Sequence, residues 1–213
     1  MKNQLYTKRN DNILFPSFFV SREMGEGNSL SLSYTQSINR PLYQMVNPFV
    51  FHLSETSYKE GNPDLKGELL YNAGLQFMLK SKYIFSLSAL FIDRKINEIY
   101  EQIGEYQTRY MLRNNGTTKR LTMYMGIPFT WGIWNCRNNV ELSQSWYQNS
   151  ANCVNDFGVV LSSYNRIRLS KQLTAISNLR YVRHYKQLFL IQKTDYVGVD
   201  VEGDYNCCKD RVN

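Results

Sequence analysis

The chain has 213 residues, which suits one domain of ordinary size or a part of a larger one. Its content of 20% charged and 43% hydrophobic residues excludes an intrinsically disordered chain, and no run of about 18 apolar residues exists that would predict a transmembrane helix. The net charge of +7 permits an acidic partner, but the Lys and Arg residues are scattered and form no basic tract of the kind that binds nucleic acid.

Alternation of apolar and polar residues predicts extended strands along the whole chain. In residues 29–38, Leu30, Leu32 and Tyr34 share one face, and serine and threonine residues occupy the other. The same period of two recurs in residues 69–77, 85–91, 121–127, 140–146, 157–161 and 173–181. No stretch has the period of an amphipathic helix, and counting from Asn12 gives about nine strands, so an all-β fold is predicted.

The predicted connections alternate between short turns and longer links. Short turns fall at residues 25–28, 80–82 and 166–171, and longer links at residues 41–65, 98–106 and 148–152. Residues 128–135 form a predicted link that is long for the short-turn end, and Asn114–Thr117 is interpreted as a bulge or bend inside a long strand. This antiparallel up-and-down meander favours a barrel wall over a Greek-key sandwich.

The two faces of the predicted strands indicate a membrane-spanning wall. The strands run for about 10 to 14 residues, compared with about 5 to 6 in soluble sheets, and a bilayer requires about 9 to 11. The polar face carries mostly Ser, Thr, Asn, Gln and Gly, and aromatic residues cluster near strand ends, for example Tyr83, Trp131, Trp134 and Trp146. An apolar face toward lipid and a polar face toward a lumen fit this pattern, and the core of a soluble β-sandwich is the alternative.

Three segments carry a resemblance to a known family: Asn39–Tyr43, Asn47–Phe49 and Gly61–Glu68. A serine-rich strand precedes them, and the segment from Lys80 to Ser88 follows the next strand. This order resembles that of the outer-membrane β-barrel proteins of Bacteroidetes, which are similar to the barrel domain of TonB-dependent receptors. Gly67 stands where a proline is usual, and the tail from Glu202 to Asn213 lacks the aromatic end of a closing strand.

The resemblance implies a division of the chain and a set of partners. Residues 1–11 form an N-terminal lead-in, 12–201 a partial transmembrane β-barrel with an ordered extracellular loop at 39–68, and 202–213 an atypical tail. About nine strands cannot close a wall of about 22, so a fragment or truncated gene product is expected. The implied partners are outer-membrane lipids, the remaining strands and plug of a full-length receptor, and TonB-type energy coupling, but no nucleic acid. The implied location is the outer membrane, with the signal peptide absent from this chain.

The candidate site residues lie in the hallmark loop and in a basic stretch. Tyr43, Phe49, Phe51, His52 and Tyr58 are predicted to face a ligand, with packing of the loop on itself as the alternative. Arg109, Arg113 and Arg120 are predicted to contact an anionic substrate in the lumen or lipopolysaccharide phosphate at the rim, with solvated surface charge as the alternative. Glu98 and Glu101 are predicted to be solvated residues of a loop.

No catalytic motif is present, and no cofactor or metal is predicted. G-x-S-x-G, H-E-x-x-H and P-loop patterns are missing, so the chain is not expected to be an enzyme. The four cysteines, Cys136, Cys153, Cys207 and Cys208, form no C-x-x-C pair and are interpreted as incidental, with a Cys136–Cys153 disulfide left open.

Three functional hypotheses follow from the sequence. The first is part of a receptor or transporter barrel that forms a passive channel wall for nutrient uptake. The second is an outer-membrane binding or adhesion barrel without transport. The third is a soluble basic β-sheet protein that binds nucleic acid through Tyr and Arg.

Overall fold

A computed structural model describes residues 13–150, 152–183, 186–187, 190–191 and 195–205. The predicted all-β fold is confirmed. In chain order the elements are β1 (Ser17–Glu23), β2 (Ser29–Asn39), α1 (Tyr43–Val46), β3 (Val50–Ser54), β4 (Ser57–Glu60), β5 (Glu68–Leu79), β6 (Tyr83–Asp93), β7 (Ile96–Ile103), β8 (Gln107–Asn114), β9 (Thr117–Trp131), β10 (Trp134–Gln148), β11 (Cys153–Arg168), β12 (Leu173–Val182), β13 (Lys186–Gln187), β14 (Leu190–Ile191) and β15 (Tyr196–Tyr205). Within these ranges no helix is long and apolar enough to cross a membrane.

Nine of the strands form one antiparallel sheet, in the order β1-β2-β5-β6-β9-β10-β11-β12-β15. Each strand of this sheet pairs with the next sheet strand along the chain, so the predicted up-and-down meander is confirmed. The sheet is not closed, and β1 and β15 form its two edges. Its architecture is that of a partial barrel wall.

A second, four-stranded sheet is built from two of the long links. Its order is β3-β4-β8-β7, in which β4 and β8 run parallel and the other neighbours run antiparallel. The β3–β4 hairpin comes from the link between β2 and β5, and the β7–β8 hairpin from the link between β6 and β9. The wall therefore carries this four-stranded sheet at the end where its connections are long.

Several predicted boundaries are wrong. Of residues 98–106, predicted as a loop, residues 98–103 belong to β7 and residues 104–106 form the turn into β8, with Gly104 at φ 67°. Both faces of β7 carry polar residues, so its sequence lacks the alternation that marks the wall strands. The predicted long link at 128–135 is a two-residue turn around Gly132, whose φ of 54° suits a tight hairpin.

The remaining boundaries differ in smaller ways. Pro128 lies inside β9 opposite Arg137, so its missing N–H does not end the strand. At Asn114–Thr117 the chain passes from β8 to β9, with Gly116 at φ 142°, so the predicted bend separates two sheets rather than interrupting one strand. Glu202–Tyr205, predicted to belong to the tail, form the end of β15. The predicted lead-in at 1–11 lies outside the described residues.

The register separates an apolar face of the sheet from a polar face. Leu32, Leu75, Leu87, Met123 and Leu142 form one row across five neighbouring strands. The next row, on the opposite face, is Ser33, Gly74, Ser88, Thr122 and Ser143. Each row is uniform because side chains alternate faces and the hairpin turns keep the strands in phase.

No layer formed by the described residues covers the apolar face. Leu32, Leu75, Leu87 and Met123 are 43% to 45% exposed, whereas the core of a soluble sandwich would bury them. Among the residues that the structure places, the buried hydrophobic side chains are only Leu65, Leu69 and Cys136. The apolar face therefore requires a partner other than this part of the chain.

Aromatic residues of the apolar face gather at both ends of the strands. Those at the long-link end are Tyr34, Tyr71, Phe91, Trp146 and Phe157, and those at the short-turn end are Tyr83, Phe85, Phe129, Trp131 and Trp134. Trp134 and Trp146 lie twelve residues apart on β10. That is about 40 Å along the strand, or about 30 Å at a tilt of about 40°, which matches the hydrocarbon thickness of a bilayer.

Candidate functional site

The segment from Gly61 to Glu68 fastens the long loop to the four-stranded sheet. Asn62 donates its backbone N–H to the carbonyl oxygen of Met45 at 2.8 Å, and its side-chain Nδ2 donates to the carbonyl oxygen of Leu112 at 2.8 Å. Lys66 donates its backbone N–H to Asn114 Oδ1 at 2.6 Å, and Asn114 Nδ2 donates back to the carbonyl oxygen of Lys66 at 2.8 Å. Two asparagines thus join the loop to β8.

Glu68 completes this attachment from inside the wall. It is 4% exposed and accepts hydrogen bonds from Asn39 Nδ2 at 2.9 Å and from the backbone N–H of Ile96 at 2.8 Å. Lys95 Nζ lies 3.1 Å from the same carboxylate. One buried carboxylate therefore ties together the end of β2, the start of β5 and the start of β7. We call Asn62, Lys66, Glu68 and Asn114 the loop clasp.

Two glycines of the segment allow close backbone contacts. A Cβ at Gly61 would lie 1.9 Å from the backbone carbonyl oxygen of Asn47, so only glycine fits there without movement of the main chain. A Cβ at Gly67 would lie 2.7 Å from the side chain of Ile38. The glycine that departs from the family pattern at position 67 is thus matched to a bulky neighbour on β2.

Residues from four segments meet in one row on one face of the four-stranded sheet. His52 on β3 lies opposite Tyr58 on β4, with their ring centroids 6.1 Å apart. Tyr58 is the register partner of Arg109 on β8, and Arg109 is the partner of Glu101 on β7. The row therefore places an imidazole, a phenol, a guanidinium and a carboxylate side by side.

Carboxylates hold the guanidinium of this row. Arg109 donates to Glu60 Oε2 at 3.3 Å and to Glu101 Oε2 at 2.5 Å, and Arg113 donates to Glu101 Oε1 at 2.8 Å. The hydrogen bond from Arg109 is the main cause that lowers the pKa of Glu101, and the charge of Arg113 adds to it. Two arginines and two glutamates form a locally neutral network, which fixes the side chains of the row rather than offering a free cation.

A family model matches the chain over residues 1–213, and its description is "Outer membrane protein beta-barrel family". The chain belongs to this outer-membrane β-barrel family. Its location is the outer membrane, where the apolar face of the nine-stranded sheet meets lipid. The third hypothesis, a soluble nucleic-acid-binding protein, does not agree with this location.

No curated protein matches the chain. A similar solved structure is the crystal structure of the siderophore receptor PirA from Pseudomonas aeruginosa, with 14% identity and a TM-score of 0.49. The match covers 89% of this chain and 42% of that receptor, so the chain spans less than half of the receptor's length.

Of the five site residues predicted in the loop, His52 and Tyr58 lie together in the row described above, and the other three lie elsewhere. Tyr43 in α1 is 75% exposed, Phe49 before β3 is 77% exposed and Phe51 is 67% exposed. Phe51 lies on the face of the four-stranded sheet opposite to His52 and Tyr58, because neighbouring strand residues alternate. The side chains of Tyr43, Phe49 and Phe51 are therefore not packed in a small core of the loop, whereas Leu65 is fully buried.

The three predicted arginines do not form one group either. Arg109 and Arg113 lie in the four-stranded sheet and share Glu101. Arg120 lies on the polar face of β9, where its Nε donates to Ser145 Oγ at 3.0 Å and its NH2 nitrogen donates to the hydroxyl of Tyr147 at 2.9 Å. Arg120 alone belongs to the interior face of the wall.

The glutamates predicted to be solvated loop residues are instead part of β7. Glu101 holds the two arginines, and Glu98 accepts from Lys59 Nζ at 2.6 Å on the opposite face of the four-stranded sheet. Neither these ion pairs nor the loop clasp was predicted from the sequence. The available signal was the run of amide and carboxylate residues in the segment that carries the family resemblance.

The cysteines do not form the disulfide that the sequence left open. Cys136 is a buried free thiol opposite Asn165, and Cys153 is an exposed free thiol opposite Gln148, so the two lie at opposite ends of the β10–β11 pair. Cys207 and Cys208 lie outside the described residues. No group of three or more His, Cys, Asp or Glu residues that could hold a metal occurs in the described part of the chain.

Proposed function

We propose that the chain forms part of the wall of a TonB-dependent-receptor-like transporter, as a passive channel wall for nutrient uptake rather than an enzyme. The observation that carries this proposal is the separation of the two faces of the nine-stranded sheet. An exposed apolar row lies on one face of the sheet, and the neighbouring row of Ser, Gly and Thr lies on the opposite face. This arrangement suits lipid on one side and water on the other.

The polar face of the wall is hydrogen-bonded across its strands. The hydroxyl of Tyr124 donates to Asn139 Oδ1 at 2.9 Å, and Asn139 Nδ2 donates to Ser162 Oγ at 3.3 Å. Such a ladder keeps polar side chains in place along a water-filled interior. It supports an interior face that meets water, in a barrel completed by further strands.

The open edges at β1 and β15 require pairing partners, because lipid leaves unpaired backbone groups unsatisfied. We expect the remaining strands and a plug to come from the same full-length receptor, with TonB-type coupling as the energy source. Long links face outward in such barrels, so the four-stranded sheet is expected on the extracellular side. There the row His52–Tyr58–Arg109 and the exposed Tyr43, Phe49 and Phe51 are the proposed ligand-facing groups.

Uptake in cells tests this proposal. The experiment compares a gene deletion, a complemented strain, and a complemented strain in which the β7–β8 hairpin is replaced by a short turn. We expect the deletion strain and the hairpin variant to lose growth on at least one nutrient that the complemented strain can use. The variant barrel should still show heat-modifiable gel migration. A deletion strain with normal uptake of every nutrient tested, with and without the energy-coupling system, would contradict transport.

A binding or adhesion barrel without transport is the second candidate. The exposed aromatic residues of the four-stranded sheet favour it, since Tyr100 is 73% and Tyr106 77% exposed in addition to the loop aromatics. This candidate predicts that cells bind a glycan or protein surface through the four-stranded sheet and that uptake is unaffected when the hairpin is replaced.

A further inference from the structure

Three arginines converge on the polar face of the wall at its short-turn end. Arg137 on β10 and Arg166 and Arg168 on β11 line a depression of about 500 Å³ together with Asn135 and Tyr164. We propose that this arginine pocket binds a small oxyanion with two or more negative charges, of the polycarboxylate or phosphate class.

The strand register explains why the arginines meet. Arg137 pairs with Tyr164, and Asn135 pairs with Arg166. Arg137 and Arg166 are therefore diagonal neighbours on adjacent strands, at about 7 to 8 Å between backbones. Arg166 and Arg168 are two residues apart on β11, so they share a face at about 7 Å spacing. Three guanidinium groups can reach one point between them.

No carboxylate of the described chain pairs with these arginines. None of the three takes part in an ion pair there, although Arg109 and Arg113 are both paired. The acidic residues Asp200, Glu202 and Asp204 share the polar face, but they lie on β15 with the whole of β12 between. That places them two strands away, at about 10 Å between backbones.

Like charges so close together destabilise a sheet unless something neutralises them. A bound oxyanion supplies that neutralisation, because a guanidinium can donate two parallel hydrogen bonds to one carboxylate or phosphate. The side chains of Asn135 and Tyr164 add an amide and a hydroxyl at the same place. The volume lies in the range of small-molecule sites, about 300 to 1,000 Å³, which favours a solute over a protein segment.

The inference uses the assignment of the polar face to the barrel interior and does not depend on transport. In barrels of this type the short turns face the periplasm. The arginine pocket is therefore distant from the four-stranded sheet and is expected near the inner mouth of the lumen. A solute in the lumen can reach it and the bulk lipid cannot, and an acidic segment of the proposed plug is the other occupant that the test below distinguishes.

Isothermal titration calorimetry on the full-length protein in detergent micelles tests the proposal, with citrate and inorganic phosphate as probes at constant ionic strength. We expect saturable binding of at least one of them. We expect the Arg166→Gln/Arg168→Gln double variant to bind about tenfold or more weakly, since each lost guanidinium removes charge-assisted hydrogen bonds. Arg180→Gln is the matched control. Arg180 lies on β12, on the same polar face of the sheet as the three arginines, but outside the pocket.

A second variant keeps the test informative if the double variant does not fold. Arg137→Lys keeps the charge but removes the two-pronged geometry, and we expect it to weaken binding while heat-modifiable migration stays normal. The proposal is overturned if neither probe binds saturably, or if Arg180→Gln weakens binding as much as the double variant. It is also overturned if a hexa-aspartate peptide binds and the small anions do not, because the pocket would then dock an acidic protein segment. None of these binding results determines the outcome of the uptake experiment, so the proposed transport function is tested separately.

Discussion

Arginine substitutions at two neighbouring positions of β6 distinguish the lipid face of the wall from its interior face. Leu87 lies on the apolar face, four residues from Tyr83 and four from Phe91, which are aromatic residues of that face. Four residues span about 13 Å along a strand, or about 10 Å of membrane depth at a tilt of about 40°. Leu87 is therefore close to the bilayer midplane, whereas Ser88 points into the lumen.

The expected free-energy costs differ accordingly. An arginine on the lipid face at the midplane costs about 2 to 4 kcal/mol of folding free energy, so Leu87→Arg should destabilise the barrel by that amount. Ser88 pairs with Gly74 and Thr122 on the interior face, where a long side chain has room and water. Ser88→Arg should cost less than about 0.5 kcal/mol, as for an exposed surface substitution.

Urea unfolding of the full-length barrel in lipid vesicles, followed by heat-modifiable gel migration, measures both costs. Wild type and the two variants are compared at one lipid composition. If Ser88→Arg costs as much as Leu87→Arg, or more, the assignment of the faces is wrong.

Three further predictions concern the extramembrane residues. Glu68→Gln removes the charge from a buried carboxylate with three donors and should lower the unfolding free energy by about 1 to 3 kcal/mol, measured as a shift of the urea midpoint. Gly61→Ala should cost about 1 to 3 kcal/mol by overpacking and make the loop at 39–68 sensitive to protease, whereas Gly203→Ala, with open space at its Cβ, should not. The pKa of Glu101 is lowered in the folded state, so its contribution to stability is present at neutral pH and is lost as the pH falls below the ordinary carboxyl range. Hydrogen exchange of the β7–β8 hairpin should show this loss in wild type, and an equal loss in Glu101→Gln would refute the role of the network.

The wall strands were predictable because lipid on one face and water on the other select alternating apolar and polar residues. Leu30 and Leu32 alternate with serines since one face meets lipid and the other water, and the same alternation recurs in every central strand. The β7–β8 hairpin lacks this alternation, because both of its faces are in water and carry ion pairs. Pro128 suggested a break that did not occur, since the effect of a missing N–H depends on where the partner strand lies.

The candidate site was less predictable than the fold. His52, Tyr58 and Arg109 are far apart in sequence, and only the parallel pairing of β4 with β8 brings them into one row. The arginine pocket was missed for a related reason. Arg137 and Arg166 belong to different strands, and their proximity depends on the register between β10 and β11. Single-strand periodicity contains no information on such pairs.

Thiol labelling of one residue pair tests the central claim most directly. Met123→Cys and Thr122→Cys place single cysteines on opposite faces of β9, in a cysteine-free background of the full-length protein in outer-membrane vesicles. We predict that a water-soluble, membrane-impermeant maleimide labels the cysteine at position 122 and leaves the one at position 123 unlabelled. Labelling at position 123 with protection at position 122 would place the apolar face in water, and the outer-membrane barrel wall would be contradicted.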